Sequence, residues 1–305
     1  MKKFLIKVAL FFILAVIVDV TCGFFFENMR VRVRGGQTFK CEYIMKRCQD
    51  DILILGSSKA AHHYVPIIIS DTLELTCYNG GQEGNGIIAA YARYKMVSAR
   101  KKPKMVVYEV TPGYDYLQDN GYSGYLGALR QYTSNVDVRK EYLDFSDELE
   151  RLRLLSNMYC NNSRMFTIVK DLLKPMPDYK GYEPLYGKIG NFSIVNRSVE
   201  SRFRSIDSLK LSYFEKFISE TRTDDVKLVM MISPTFGQVN IQDYEPAVEL
   251  CKKYGVPLID NSAYAGITGN NEFFQDRTHL NNNGALAYTK IVAHQIRNLI
   301  TKSNL

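Results

Sequence analysis

The sequence predicts an α/β fold, a three-layer sandwich in which helices cover both faces of a five-stranded and mainly parallel sheet. Short apolar runs indicate buried strands, and the segments between them show the spacing of amphipathic helices. Strands that alternate with helices in this way are typical of doubly wound sheets, whose functional residues collect beyond the carboxyl ends of the strands. The five predicted strands are Ile52–Leu55, Leu73–Tyr78, Met105–Val110, Lys227–Ile232 and Pro257–Ile259.

A segment between residues 113 and 205 interrupts this alternation. It is rich in tyrosine, and its patterns predict short helices over Glu141–Asn157 and Arg164–Leu173. We interpret it as a helical or irregular cap inserted into the domain. Its tyrosines suit either the binding of sugar rings and apolar ligands or the packing of a small core of its own. The helices predicted around it are Gly84–Arg100, Ile206–Thr221, Asp243–Tyr254 and Asn283–Ile300.

The N-terminus has the character of a membrane segment. Three lysines lie within the first seven residues, and the stretch Phe4–Phe26 is long enough to span a bilayer, which takes roughly 20 residues. The lysines should stay in the cytoplasm and the rest of the chain outside it. A cleaved signal peptide and a lipidated Cys22 are the alternatives. Because no small-x-small cleavage site follows, and Asp19 stands where a lipoprotein sequence has an aliphatic residue, we predict an uncleaved anchor over residues 1–28.

Composition supports one sizeable domain after the anchor. Residues 29–50 are expected to form a linker and residues 51–305 the domain, and 46% hydrophobic content suffices for a real core. The formal net charge is +7, but the lysines are scattered along the chain, so nothing indicates nucleic-acid binding. Arg30, Arg32 and Arg34 form either a solvated stalk or a contact to lipid headgroups or polyanionic glycan.

The six cysteines show no metal-ligand spacing, and neither a metal nor another cofactor is expected. Cys41 and Cys48 flank a short loop and could form a disulfide in an oxidising exterior. Cys77 and Cys251 fall in apolar segments and are predicted to be core residues.

Two segments at opposite ends of the domain carry the candidate chemistry. Ser58 follows the first predicted strand, while Asp276 and His279 stand three residues apart near the C-terminus. A serine hydroxyl becomes nucleophilic when an imidazole takes its proton, and a carboxylate fixes the tautomer of that imidazole. The three residues therefore predict a serine nucleophile triad. Each motif alone is equally compatible with helix capping or a turn. His62 and His63 should follow Ser58 on a helix, as pocket-lining or simply packing residues.

These motifs resemble the blocks of the SGNH/GDSL hydrolase superfamily. Gly56-Ser57-Ser58 corresponds to the Gly-Asp-Ser block, the segment from Asp276 to His279 to the Asp-x-x-His block, and the segment from Asn79 to Gly84 to the Asn-x-x-x-x-Gly block. The resemblance implies a flavodoxin-like sheet, a catalytic Ser58 and an oxyanion hole formed by the amides of Ser58 and Gly84. Further oxyanion or binding candidates are Asn79, Gly81 and Thr111.

The chain departs from the pattern at two places. Ser57 replaces the aspartate of the first block, and the family's Gly-x-Asn-Asp block has no asparagine near Thr111, where it should fall. The absence of a second glycine after Ser58 also argues against the nucleophile elbow of the α/β-hydrolases. Losing one oxyanion donor typically costs about 100- to 1000-fold in turnover, which a slow enzyme or a specialised transferase would tolerate.

Two functions are compatible with these residues. The first is an exported, membrane-anchored acyl esterase or O-acyltransferase that acts on a cell-surface polysaccharide outside a bacterial membrane. Within the superfamily, the anchored style resembles proteins of alginate O-acetylation and teichoic acid D-alanylation, and this resemblance implies a glycan acceptor and a multi-spanning membrane acyltransferase as partners. The second is a non-catalytic glycan-binding or assembly protein on a degenerate fold.

Overall fold

Two compact units make up the protein. The first comprises residues 1–45 and 126–178, and the second comprises residues 46–125 and 179–305. The computed structural model describes residues 1–118, 127, 129–144, 146–162, 164–190, 205–237 and 239–303.

The second unit contains a five-stranded sheet in the order β2-β1-β3-β4-β5, and every neighbouring pair is parallel. This confirms the predicted fold class. The carboxyl ends of β1 and β3 lie side by side, because Gly56 pairs with Glu109 in the register. The strands are β1 Ile52–Gly56, β2 Cys77–Asn79, β3 Met105–Glu109, β4 Lys227–Ile232 and β5 Leu258–Asp260.

Helices flank the sheet on both faces. One face packs its apolar side chains against the C-terminal helix and the helices that follow β1, and the other packs against aromatic residues such as Phe214 and Phe217. The helices of this unit are α3 Ser58–His63, α4 Pro66–Leu73, α5 Ile87–Ser98, α6 Pro112–Asp115, α11 Ser208–Thr223, α12 Glu245–Tyr254 and α13 Asn282–Ser303, with 3₁₀ turns at Ile241–Tyr244 and Asn271–Phe273.

The second predicted strand was placed too early in the chain. Its first residue, Leu73, ends helix α4, which begins with Pro66 at its first position, where proline is well tolerated. Glu74 then adopts a left-handed conformation with φ +56°, and the strand starts only at Cys77. The apolar run spans a helix end and a strand, so periodicity alone could not separate the two.

The first unit is helical. Its elements are α1 Lys2–Arg32, α2 Gly36–Lys46, α7 Val136–Leu143, α8 Glu148–Arg153, α9 Asn157–Asn162 and α10 Met165–Leu173, with a 3₁₀ turn at Arg130–Tyr132. The predicted helix Glu141–Asn157 is wrong, because Asp147 caps the new helix α8 with its carboxylate and divides the segment. Part of the predicted cap, residues 119–126 and 191–204, lies outside the described residues.

The range expected as a linker contains the end of α1 and helix α2. Arg30 is buried there and pairs with the buried Glu42 carboxylate at 2.6 Å, so it is not part of a solvated stalk. All six cysteines are free, including Cys41 and Cys48, and Cys77 and Cys251 are buried as predicted. Helix α1 is long and apolar enough to cross a membrane, a property that signal sequences share.

Candidate active site

Ser58 stands at the junction of strand β1 and helix α3. Gly56 ends the strand with φ +137°, a region that favours glycine, and a Cβ there would lie 2.7 Å from the Glu109 carbonyl oxygen. The chain turns sharply at Gly56, and Ser58 becomes the first residue of α3 at the carboxyl edge of the sheet. Ser57 is buried whereas Ser58 is partly exposed, so Ser58 is the serine that a ligand can reach.

The structure brings Ser58, His279 and Asp276 together. Ser58 Oγ lies 2.8 Å from His279 Nε2, and His279 Nδ1 lies 2.9 Å from Asp276 Oδ2. A carboxylate only accepts hydrogen bonds, so Nδ1 carries the proton and Nε2 is free to accept from the serine hydroxyl. This is the tautomer that a general base needs.

The Asp-x-x-His spacing builds half of this geometry locally. Asp276 Oδ1 accepts hydrogen bonds from the amides of Thr278 at 2.7 Å and of His279 at 2.8 Å, which folds the turn around the carboxylate. Burial alone would raise the pKa of Asp276, but the hydrogen bonds from the His279 ring and from these two amides outweigh it and lower that pKa. The carboxylate thus stays ionised and can stabilise an imidazolium at His279.

A buried histidine, His63, fixes the other side of the turn. Phe274 and Leu280 flank the turn, are fully buried and form an isolated antiparallel bridge. The Leu280 amide donates to His63 Nε2 at 3.0 Å, and His63 Nδ1 lies 2.8 Å from Ser233 Oγ. Burial, with the positive charge of Lys59, holds the pKa of His63 well below its ordinary value, so the ring stays neutral. It therefore accepts at Nε2 and donates from Nδ1.

The His63 contact belongs to a buried polar network beneath the site. Ser233 Oγ is 2.7 Å from Glu109 Oε1, which also pairs with Lys59 Nζ at 3.2 Å, and Tyr64 donates a short hydrogen bond to Glu109 Oε2. Burial opposes the charge of Lys59, but the Glu109 carboxylate raises the pKa of that lysine. The network ties helix α3 to the ends of β3 and β4 and so fixes the position of Ser58.

No protein-family model and no curated protein matches the chain. Similar solved structures include the psychrotrophic esterase EstA from Pseudoalteromonas, which is 10% identical, with 82% of this chain and 98% of that chain covered and a TM-score of 0.44. A lipolytic protein of the G-D-S-L family from Desulfitobacterium hafniense is 8% identical, with 80% and 97% covered and a TM-score of 0.42. An acetyl-xylooligosaccharide esterase from Geobacillus, in a mutant form, is 11% identical, with 81% and 94% covered and a TM-score of 0.42.

Each of these likenesses has a TM-score below 0.5. The likeness is distant, so the chemical interpretation below rests on the geometry of the site itself.

Two backbone amides are available at the SGNH oxyanion positions. Within the described part of the chain, neither the Ser58 nor the Gly84 amide donates a hydrogen bond to another protein group. Gly84 has φ +64° and open space where a side chain would stand. Both observations are compatible with two amides that can donate hydrogen bonds to a ligand oxygen.

The side chain of Asn79 and the amide of Gly81 form hydrogen bonds within the protein. The side-chain Nδ2 of Asn79 donates to the carbonyl oxygens of Ala60 at 2.7 Å and Tyr64 at 2.9 Å. Its Oδ1 accepts from the backbone amide of Gly81 at 2.9 Å. Their polar hydrogens are therefore not directed at a ligand, and the suggested oxyanion role of these two residues has no support in the geometry. Their role is to lock the loop onto helix α3.

The two departures from the SGNH pattern contact each other. Ser57 Oγ, where the superfamily has aspartate, lies 2.8 Å from Thr111 Oγ1, in the block that lacks its asparagine. The Thr111 amide donates to Asp115 Oδ2 at 2.7 Å, so only its hydroxyl remains as a polar group beside the loop. The two departures are therefore joined by a hydrogen bond between their hydroxyl groups.

A second histidine, His62, lies next to the triad. Its ring meets the ring of His279 edge-on at 5.6 Å, its Nε2 is 2.9 Å from Glu83 Oε1, and its Nδ1 is 2.7 Å from the Glu183 carbonyl oxygen. Both ring nitrogens therefore lie within hydrogen-bond distance of an oxygen. Sequence reasoning treated His62 and His63 mainly as packing residues, because no local pattern indicates partners more than 100 residues away.

A cavity of about 410 Å³ opens beside the triad and is lined by Ile189, Gly190, Gln275, Asp276, Arg277, Thr278 and His279. Within the described residues, no group of three or more His, Cys, Asp or Glu side chains is arranged to hold a metal ion.

Proposed function

We propose that the protein is a serine-dependent acyl esterase or O-acyltransferase. One observation carries the proposal: Ser58, His279 and Asp276 form a continuous hydrogen-bonded relay of 2.8 Å and 2.9 Å, with the tautomer of His279 fixed. Ser58 Oγ attacks the acyl carbonyl carbon while its proton passes to His279 Nε2. The amides of Ser58 and Gly84 stabilise the oxyanion, and His279 then protonates the departing alcohol oxygen, which leaves an acyl-Ser58 intermediate.

The second half-reaction decides between hydrolysis and transfer. Water or a sugar hydroxyl gives its proton to His279 and attacks the acyl carbon, and Ser58 leaves as the alcohol. We propose transfer to a cell-surface polysaccharide outside a bacterial membrane as the physiological reaction. A tether at the membrane raises the effective concentration of a donor delivered there by a membrane-spanning acyltransferase, whereas hydrolysis of soluble esters gains little from it. The tyrosine-rich insertion remains the proposed site for the sugar acceptor.

An active-site probe and product analysis test both steps. A fluorophosphonate should label the full-length protein, and Ser58→Ala should lose labelling and lower esterase activity by about three orders of magnitude or more. Ser57→Ala is the matched control and should still be labelled. Labelling of Ser58→Ala would disprove the assignment of Ser58, and failure of the unmutated protein to be labelled would favour the non-catalytic alternative. An activated acetyl ester supplied with surface oligosaccharide should yield acetylated oligosaccharide by mass spectrometry, and free acetate alone would favour the simple hydrolase.

A further inference from the structure

The helical unit carries an exposed apolar surface. Helix α10 buries Ile168 on one side, while Phe166 and Leu173 on the other are 81% and 82% exposed. Exposed apolar residues also follow a helical spacing on and after α8. Exposed apolar side chains grouped in this way on one unit often mark an interaction site. We call it the apolar collar, and its members are Leu149, Leu152, Leu155, Met158, Phe166, Val169, Leu173 and Met176.

Helix α9 of this unit is anchored on Asp19, in the middle of the apolar helix α1. Both carboxylate oxygens of Asp19 are used: Oδ1 lies 2.6 Å from Ser156 Oγ and 3.0 Å from the Met158 amide, and Oδ2 lies 2.8 Å from the Asn157 amide. Asp19 is therefore the N-terminal cap of α9, supplied by a distant part of the chain.

The contact continues along α1. A Cβ on Gly23 would lie 2.4 Å from Asn157 Cβ, so the glycine allows α9 to approach closely. Two turns later, Arg30 donates to Asn161 Oδ1 at 3.2 Å. Helix α9 thus lies against the second half of α1, and α10 also contacts α1, whereas the apolar side chains on the first half of α1 are exposed.

The position of Asp19 sets the depth of this contact. A hydrocarbon layer about 30 Å thick takes about 20 helical residues, so a span that starts at Phe4 ends near Phe24 and includes Asp19. A bare carboxylate at that depth would be costly. Because the groups that satisfy it belong to the start of α9, that helix must lie at the same depth.

From this we infer that the apolar collar is a second membrane contact, which lies in the outer leaflet beside α1 with lipid acyl chains as its occupant. The exposed basic residues Arg151 and Arg153 lie on α8, Lys170 lies on α10 and Lys174 directly follows α10, and all four suit the anionic headgroups above that layer. The inference rests on α1 being retained in the membrane. It assigns lipid, and not substrate, to this part of the inserted segment.

The absence of tryptophan from the sequence gives a direct test. Each of Phe166→Trp and Leu173→Trp introduces a single fluorescent reporter at an exposed position, which should leave the fold unchanged. The full-length variants are placed in phosphatidylcholine vesicles with and without brominated acyl chains. We expect bromolipid to quench both reporters at least half as strongly as Phe12→Trp in α1. Ile67→Trp and Ile241→Trp, exposed in the other unit, are the controls and should resist quenching.

The outcomes test the apolar collar and the membrane anchor separately. Quenching of Phe12→Trp without quenching at 166 and 173, or quenching of these two by aqueous iodide only, would overturn the collar and leave the anchor intact. Equal quenching at all five positions would show unspecific adsorption and overturn it as well. Failure at Phe12 would refute the membrane anchor itself. None of these results depends on the esterase activity.

Discussion

Single residues set the electrostatics below the cleft. Asp115 is fully buried and accepts hydrogen bonds from the Tyr108 hydroxyl and the Thr111 amide, each at 2.7 Å. Burial raises the pKa of Asp115 to about 7, although these hydrogen bonds and the charge of Lys210 oppose the shift. The carboxyl group therefore changes its charge near neutral pH. It is hydrogen-bonded to the Thr111 amide, and the hydroxyl of Thr111 contacts Ser57.

The stability of the protein should accordingly depend on Asp115 between about pH 4 and pH 7. In this range the folded state holds a proton that the unfolded state, with a pKa of 3.8, has released. The stabilisation is full below pH 4 and is lost as the pH rises to about 7, an effect on the order of 4 kcal/mol for three pKa units. The side chain of Asn in Asp115→Asn is neutral at every pH. Between pH 5 and pH 8 this variant should therefore lose less free energy of unfolding than the unmutated protein. Thermal unfolding of the full-length protein in detergent measures this, and equal pH slopes would contradict it.

At the scale of secondary-structure elements, the catalytic turn depends on its contact with α3. The turn from Asp276 to His279 is short and partly exposed, yet it is held on its far side by the Leu280 amide, which donates to the buried His63. His63 is not among the residues that line the cavity; its ring meets that of His279 edge-on at 6.3 Å, and it acts by positioning the turn. The buried network thereby links the strand that presents the serine to the loop that presents the base.

We expect His63→Phe to lower kcat by about 10-fold or more with little change in KM, because the Leu280 amide loses its buried acceptor and His279 is no longer held at 2.8 Å from the serine. The free energy of unfolding should fall by about 1–3 kcal/mol for the unsatisfied group. Steady-state kinetics with an activated ester measure the effect.

Ser233→Ala is the matched comparison for this variant. It breaks the same network one bond further on and leaves the contact between His63 and Leu280 in place. It should therefore lower stability to a similar degree while retaining most of the activity. Equal loss of kcat in the two variants would show that the effect is general destabilisation and not positioning.

At the scale of the whole molecule, α1 is part of a folded unit, and it is also long and apolar enough to cross a membrane. Cleavage near residue 22 would remove Asp19 and expose the amides at the start of α9, so the contact favours an uncleaved anchor over a signal peptide. The buried pair of Arg30 and Glu42 joins α1 to α2 in the same unit.

Asp19→Leu should loosen α9, although it makes α1 more apolar. Loss of the cap costs about 1–2 kcal/mol, and hydrogen exchange of residues 157–162 in the full-length protein should become about 5- to 30-fold faster. Val20→Leu, at an exposed neighbouring position, is the control and should leave exchange unchanged. Unchanged exchange in Asp19→Leu would show that the cap does not stabilise the unit.

The sequence predicted most of the sheet because buried parallel strands are continuous apolar runs. The strand Lys227–Ile232 was predicted residue for residue, and β1, β3 and β5 within one or two residues. The failures lie where a local signal is ambiguous. The apolar run before Cys77 hides a helix end, and the cap at Asp147 divides a segment that looked like one helix.

By itself, the sequence determined the order of strands and helices along the chain. It also determined the half of the site whose residues are close neighbours in sequence. Asp276 and His279 contact each other because a carboxylate can cap the amides two and three residues ahead and reach the ring attached there. Only the tertiary structure decided the contacts between distant residues. Ser58 meets His279 across 221 positions, His63 meets Leu280 across 217, and Asp19 meets Asn157 across 138. No local period encodes such partners, because the packing of whole elements brings them together.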